Sequence, residues 1–222
     1  MEYFDVRNQD GIKTGEVKER SLVHRDGDWH ATSHVWIARQ NPVTGYAELL
    51  LQKRSASKDS FPGCYDISAA GHIESGDDYL PCALRELKEE LGIEAEASDL
   101  TYLFTHTGCM EGNFHGEPFK NCEISAVYLY TKPVNAEELK LQPEEVESVV
   151  WMDLETCSQQ IHIKNPAYCI FADEIEELGI RVPRILEQQV HAVKAELTET
   201  WAEDAQQDLE DWIEEQGIYL RQ

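Results

Sequence analysis

The sequence is poor in positive charge. Only 19 residues are lysine or arginine against 43 aspartates and glutamates, so the formal net charge is −24 at pH 7. Nucleic acid polymers and anionic membranes bind clusters of lysine and arginine, and the composition therefore argues against nonspecific binding to either. A small phosphorylated ligand stays compatible with this charge, because a bound metal cation reverses the local field.

The sequence also lacks a secretory leader, a long apolar run and any Cys-x-x-Cys pair. Its six cysteines are scattered, a distribution typical of reduced thiols in a cytoplasm and not of a disulfide framework or a zinc site. We therefore expect a soluble cytoplasmic protein without a membrane partner. The cysteines are Cys64, Cys82, Cys109, Cys122, Cys157 and Cys169.

What the sequence does contain is a group of acids on one amphipathic segment. Apolar residues recur every three or four positions from Leu80 to Leu91, which predicts a helix capped by Asp77 or Asp78 and ended by Gly92. Three carboxylates lie off the apolar stripe at positions i, i+3 and i+4 and so repel one another unless a hard cation such as Mg²⁺ lies between them. The bland alternative is an acidic helix face in solvent. The three are Glu86, Glu89 and Glu90.

The whole segment from Gly71 to Ile93 resembles the Nudix box, which is Gly, five residues, Glu, seven residues, then Arg-Glu-apolar-x-Glu-Glu-x-Gly-apolar. One position departs, because Asp77 stands where the family has its first Glu. The resemblance implies that the three glutamates bind one or more Mg²⁺ ions, or Mn²⁺, with help from a backbone carbonyl of Ala70 or Gly71. It also implies that Arg85 pairs structurally with nearby carboxylates. The matching residues are Gly71, Arg85, Glu86, Leu87, Glu89, Glu90, Gly92 and Ile93.

Alternating apolar patterns predict strands between a few helices, which indicates an α/β protein. The resemblance implies a Nudix-type α/β/α sandwich with a mixed sheet. We predict an N-terminal arm over 1–29 with a strand and a short helix, a Nudix hydrolase domain over 30–165, and an acidic helical extension over 166–222. Within the extension we expect a helix over 168–178 that Gly179 ends, then one long amphipathic helix from Arg184. Its apolar stripe either folds back on the domain or forms a coiled-coil or homodimer contact.

Within the superfamily, the chain is most similar to the isopentenyl diphosphate isomerase branch. The similarity covers residues 51–58, 61–66 and Gly71-His72, and Glu123 falls near that branch's catalytic glutamate. His24 and His30 lie near the region of its metal-binding histidines, although their spacing matches poorly. Two positions depart: Ala70 replaces the cysteine that isomerisation needs, and Asn121 replaces a metal-binding glutamate. Because alanine cannot transfer a proton, we expect a hydrolase with an isomerase-like frame.

The predicted reaction is Mg²⁺-dependent hydrolysis of a diphosphate linkage in a nucleoside diphosphate derivative or related organic diphosphate. Glu123 is the first candidate for the base, followed by Glu86 and Glu89. Two other functions stay open: an isomerase of allylic diphosphates, disfavoured by Ala70, and a non-catalytic nucleotide-binding module.

The densest basic cluster of the chain precedes the predicted box, and it is the candidate for binding substrate phosphates by charge-assisted hydrogen bonds. The alternative is a solubilising strand end. His72 is equally compatible with contact to metal or substrate and with a plain loop position, whereas His106 is interpreted as a surface residue. The basic cluster consists of Lys53, Arg54 and Lys58.

Overall fold

The computed structural model describes residues 2–114 and 116–192. Their elements, in chain order, are β1 Tyr3–Arg7, β2 Lys13–Glu19, α1 Arg20–Asp26, β3 Trp29–Gln40, β4 Ala47–Arg54, β5 Tyr65–Asp66, β6 Ala69–His72, α2 Tyr79–Leu91, a 3₁₀ turn Ala97–Asp99, β7 Leu100–Phe114, β8 Glu117–Tyr130, β9 Val146–Asp153 and α3 Leu154–His162. A further helix starts at residue 172, and we call residues 172–182 α4. Residues 1–182 form one compact unit; the described residues of the second unit, 183–192, are helical.

All nine strands belong to one mixed sheet organised around β3. β3 pairs antiparallel with β1, β4 and β6 and parallel with β8, while β7 and β8 form a long antiparallel hairpin. Successive side chains of a strand point to opposite faces. Val35 and Ile37 accordingly pack in the core cluster with α2, whereas His34 and Trp36 contact Glu174 of α4. The predicted α/β fold, with helices on both faces of a mixed sheet, is confirmed.

Helix α2 begins and ends where the sequence predicts. The Asp78 side chain accepts a hydrogen bond from the Tyr79 N–H, and Gly92 ends the helix with φ 71°, a left-handed conformation that favours glycine. Leu87 and Leu91 are fully buried against the sheet. Burial of such a side chain stabilises a fold by about 1.5–3 kcal/mol. The helix is therefore anchored firmly enough to present its acids in fixed positions.

The N-terminal arm contains one strand more than predicted. The expected strand and short helix are present as β1 and α1, but β2 pairs with β1 as an antiparallel hairpin. The Asn8 side chain accepts hydrogen bonds from the backbone N–H groups of Asp10 and Ile12, which stabilises the turn. The domain boundaries at residues 29 and 165 stay predictions.

The prediction that Gly179 ends a helix is wrong, because α4 continues through it to residue 182. A glycine inside a helix costs only about 1 kcal/mol relative to alanine. The fully buried side chains of Ile175, Leu178 and Val182 outweigh that cost. Most of the long amphipathic helix predicted from Arg184 lies outside the described residues.

The prediction that all cysteines are free thiols is also wrong. Cys109 and Cys122 form a disulfide between β7 and β8, where they are cross-strand partners with Cα atoms 4.1 Å apart. Their pairing follows from the register of a long hairpin, which the spacing of the cysteines did not reveal. Of the helices in the described ranges, none is long and apolar enough to cross a membrane.

Candidate active site

A cavity of about 290 Å³ opens where α2, β3, β6 and β8 meet. Its wall combines carboxylates, histidines and four cationic side chains, an unusually polar mixture for a concave surface. Because these groups come from distant parts of the chain, the fold is what brings them together. The lining includes His34, Arg54, Lys58, Gly71, Glu86, Glu89 and Glu123.

The acidic cluster of α2 is partly buried, unlike a solvated helix face. Glu86 and Glu90 are 9% and 5% exposed, whereas Glu89 is exposed. Oε2 of Glu90 accepts hydrogen bonds from Gln52 Nε2 at 3.2 Å and from the Ala70 N–H at 3.3 Å. These contacts fix the Glu90 carboxylate next to the backbone of β6, part of which lines the cavity.

The electrostatics of these acids indicate a missing positive charge. Burial raises the pKa of Glu86 to about 7 despite the neighbouring Arg85. Burial and the charge of Glu86 raise the pKa of Glu90 well above its usual value. Arg85 pairs with Glu86, but burial outweighs its charge. Buried acids in this state, which offer only hard oxygen donors, fit a divalent cation such as Mg²⁺.

Gly71 is required by the position of the Glu86 carboxylate. A Cβ atom at residue 71 would overlap the Glu86 side chain. Only glycine therefore allows the β6 backbone to approach the acids this closely. This contact favours a structural role for Gly71.

Arg85 holds the acidic cluster from its outer side. Its Nη1 lies 2.8 Å from Glu86 Oε1 and 3.2 Å from Glu89 Oε2, and its Nη2 donates to the His72 carbonyl at 3.3 Å. Among the described residues, Asp77 does not pair with Arg85; its N–H donates to the Glu74 carbonyl in an exposed turn. The structural role of Asp77 in the motif therefore stays a prediction.

The predicted basic cluster is divided by the alternation of β4. Arg54 and Lys58 line the cavity, Arg54 paired with Asp66 at 2.7 Å and Lys58 paired with Glu145. Lys53 points to the other face and pairs with Glu147 at 2.7 Å. Lys53 is not among the residues that line the cavity, so the geometry does not favour its assignment to phosphate binding, which stays a prediction.

Glu123 lies in the opposite wall of the cavity, on β8, and is 6% exposed. Its Oε1 accepts a hydrogen bond from Asn121 Nδ2 at 2.7 Å, and Nε2 of His72 and of His34 lie 3.6 Å and 3.7 Å from its oxygens. Burial alone would raise its pKa, but the His34 imidazolium outweighs burial and lowers the pKa to about 2. Glu123 is thus ionised throughout the physiological range.

Three histidines beside Glu123 form a second candidate metal centre, which sequence reasoning only partly found. Nitrogen atoms of His24, His30 and His72 lie within 4.8 Å of one another. The pairing of β3 with β6, which places Thr32 opposite His72, brings His30 and His72 together. Local spacing could not show this, because the three residues come from α1, β3 and β6.

The state of these imidazoles suits metal binding. Burial lowers the pKa of all three, that of His24 to about 3, and so leaves them neutral. Nδ1 of His30 faces the Asp28 carbonyl at 2.9 Å. All three Nε2 atoms are buried without a hydrogen-bond partner among the residues that the structure describes. Neutral imidazoles with free lone pairs are ligands of Zn²⁺, Mn²⁺ and Fe²⁺.

The mixed sheet, the close approach of Gly71 to the acidic helix and the buried carboxylates of α2 define an α/β protein with an acidic cavity. The family model of the NUDIX domain matches residues 30–172, and the chain belongs to this family. Nudix hydrolase 3 of Arabidopsis thaliana is 43% identical over 169 residues, 75% of this chain but 21% of the relative. The chain thus spans about a fifth of that relative's length.

Other relatives match over most of their length. An uncharacterised Nudix hydrolase of Clostridium acetobutylicum is 33% identical over 69% of this chain and 71% of its own. An isopentenyl-diphosphate Delta-isomerase of Serratia proteamaculans is 28% identical over 67% of this chain and 75% of its own. A solved Deinococcus radiodurans protein, 20% identical, superimposes with a TM-score of 0.61 over 79% of this chain and 98% of its own. This last likeness shows the fold alone.

Proposed function

We propose that this protein hydrolyses a diphosphate linkage in a nucleoside diphosphate derivative or related organic diphosphate, with a divalent cation as cofactor. Membership in the NUDIX family and the raised pKa values of the buried Glu86 and Glu90 support the proposal, the pKa shifts most directly. Buried acids of this kind are costly to a fold unless a cation or a proton neutralises them.

Glu86, Glu89 and Glu90 would hold Mg²⁺, or Mn²⁺ in its place. When bound, such a cation neutralises diphosphate oxygens and makes a coordinated water easier to deprotonate. The protein's own contribution is orientation: Arg85 fixes Glu86 and Glu89, while Gln52 and the backbone of residue 70 fix Glu90.

Arg54 and Lys58 bind the anionic end of the substrate. Both line the cavity, and both are now paired with carboxylates. A phosphate can replace the Glu145 partner of Lys58 with a stronger charge-assisted contact, since Glu145 itself lines the cavity.

Glu123 is our first candidate to accept the proton of the attacking water, because it lies in the cavity wall and is always ionised. Its low pKa makes it a weak base in the free protein. Glu86, whose pKa is about 7, is the better match in basicity and is the alternative base if no cation occupies it.

The second candidate function is that of the isopentenyl diphosphate isomerase branch. The triad of His24, His30 and His72 beside Glu123 favours it, because these residues would hold a transition metal such as Zn²⁺ or Mn²⁺. Ala70 disfavours it, since no side chain at that position can transfer a proton.

A substrate screen tests these functions against one another. The full chain is incubated with Mg²⁺ or Mn²⁺ and with nucleotide sugars, dinucleotides, nucleoside diphosphates and prenyl diphosphates. The hydrolase proposal requires cleavage of the phosphoanhydride, whereas allylic isomerisation without phosphate release supports the second candidate. Nucleotide binding by calorimetry without turnover would leave a binding module. The cytoplasmic location and the homodimer stay predictions.

A further inference from the structure

A second buried acid lies behind Glu123, in a part of the chain that no sequence motif singles out. Glu174 of α4 is fully buried and His34 of β3 is 3% exposed. Nδ1 of His34 lies 3.1 Å from Oε1 and 3.0 Å from Oε2 of Glu174, and Trp36 Nε1 donates to Oε1 at 2.7 Å. The Glu174 carboxylate is therefore held by two rigid aromatic donors.

The other nitrogen of His34 faces the cavity. Its Nε2 lies 3.7 Å from Glu123 Oε2 and 3.5 Å from the Thr32 hydroxyl, and His34 lines the cavity wall. One imidazole thus connects a fully buried carboxylate on α4 to the candidate base on β8. This order of acid, imidazole and reacting group is one that orients a side chain for proton transfer.

The charges around His34 favour its imidazolium form. Burial disfavours the charge, but Glu174 and Glu123 outweigh burial and raise the pKa of His34 to about 10. The other titratable groups near Glu174 are His106 of β7, with Nδ1 3.6 Å from Glu174 Oε2, and Asp173, which pairs with His106 at 3.1 Å. Asp173 is largely exposed. Among the groups that lower the pKa of Glu123, His34 contributes most and His30 less.

We propose that Glu174 and His34 are positioning residues, which together hold the Glu123 carboxylate in its productive orientation in the cavity. This inference rests on the proposed hydrolase and on Glu123 as its base. The rival interpretation is a buried ion pair that stabilises the fold without affecting the reaction.

The decisive variant is Glu174→Gln, which keeps the size of the side chain but removes its charge. With the diphosphate compound that the screen shows to be cleaved fastest, we expect kcat to fall about 10–100-fold, within the range that a positioned proton acceptor contributes, while KM stays within about twofold. In ¹⁵N NMR at pH 8, the His34 signals should change from imidazolium to neutral imidazole. Glu48→Gln is the matched control, because Glu48 is buried, pairs with Arg39 and lies outside the cavity lining.

Each outcome decides the inference. Wild-type kcat in a folded Glu174→Gln protein, or equal losses in Glu174→Gln and Glu48→Gln, would assign the pair to stability alone. An unchanged His34 imidazolium would also contradict it.

If Glu174→Gln does not fold, Glu174→Asp is the second variant, because it retains the charge but shortens the side chain by one methylene. Its kcat should fall about 3–10-fold, and an unchanged kcat overturns the proposal. A wild-type protein without turnover on any substrate refutes the proposed function and the positioning role with it, whereas turnover that is insensitive to residue 174 refutes only the latter.

Discussion

The pKa values of buried carboxyl groups are shifted in opposite directions on two walls of the cavity, one formed by α2 and one by β8. On the α2 wall, burial raises the pKa of Glu86 to about 7 and that of Glu90 well above its usual value. On the β8 wall, burial acts in the same direction on Glu123, but His34 reverses the result and lowers the pKa to about 2. The direction of the pKa shift of a buried acid thus indicates whether cationic side chains of the protein outweigh the effect of burial.

The largest expected effect is on the α2 wall, where burial outweighs the charge of Arg85. Glu90→Gln should reduce turnover about 10⁴-fold, because it removes a charge from the cation site, while the amide keeps the size of the side chain. Phosphate release measures turnover, and circular dichroism checks the fold. Glu94→Gln is the control, since Glu94 is exposed and pairs only with Lys88 in the described chain. Comparable activity in the two variants would remove Glu90 from the metal site.

On the other wall, Glu123→Gln should reduce kcat about 10²–10³-fold, as expected for loss of a proton acceptor. Binding of Mg²⁺, measured by calorimetry, should stay within about twofold of wild type, because the proposed cation site lies on α2. A large loss of Mg²⁺ affinity would show that Glu123 is itself a ligand, and the distinction between the walls would then fail.

The raised pKa of Glu86 makes a prediction about stability and pH. An acid with a folded pKa of about 7 against 4.5 in the unfolded chain contributes stability that is present below pH 4.5 and lost as pH rises through 7. Metal-free wild type should therefore lose stability relative to Glu86→Gln between pH 5 and pH 8. At pH 8, Mg²⁺ at a hundredfold excess over its Kd should raise the wild-type Tm by about 5–10 °C. A Tm difference independent of pH would contradict the raised pKa.

The smallest effect concerns the two lysines of the basic cluster. Lys58→Ala should raise KM about tenfold, since Lys58 lines the cavity and can contact a phosphate. Lys53→Ala should change KM less than about twofold, because its exposed pair with Glu147 lies on the other face. Equal effects of the two substitutions on KM would show that charge alone, and not position, governs binding.

Local spacing was enough to predict the α2 wall. The glutamates, Gly71 and the helix end at Gly92 lie within one short segment, where helical periodicity determines which residues are neighbours. In β4, the two-residue alternation of a strand places Lys53 and Arg54 on opposite faces, which the sequence alone could have indicated. This part of the site can therefore be predicted from one short segment of the sequence.

The β8 wall depends on contacts between distant segments. His34 meets Glu174 across 140 residues, and the Cys109–Cys122 pairing follows from the β7–β8 register. The triad of His24, His30 and His72 requires both the β3–β6 pairing and the position of α1. Sequence reasoning took His106 for a surface residue, whereas it is 5% exposed and faces Glu174. Without the sheet topology, no spacing rule connects these residues.

The position of Glu174 has a practical consequence for anyone who shortens this chain. The NUDIX match ends at residue 172, two residues before Glu174. A protein trimmed at that limit would keep every glutamate of the box yet leave His34 and Trp36 facing an empty place in the interior. Homology limits are often used as cloning limits, and here such a cut would separate the recognisable motif from the residue that charges the opposite wall.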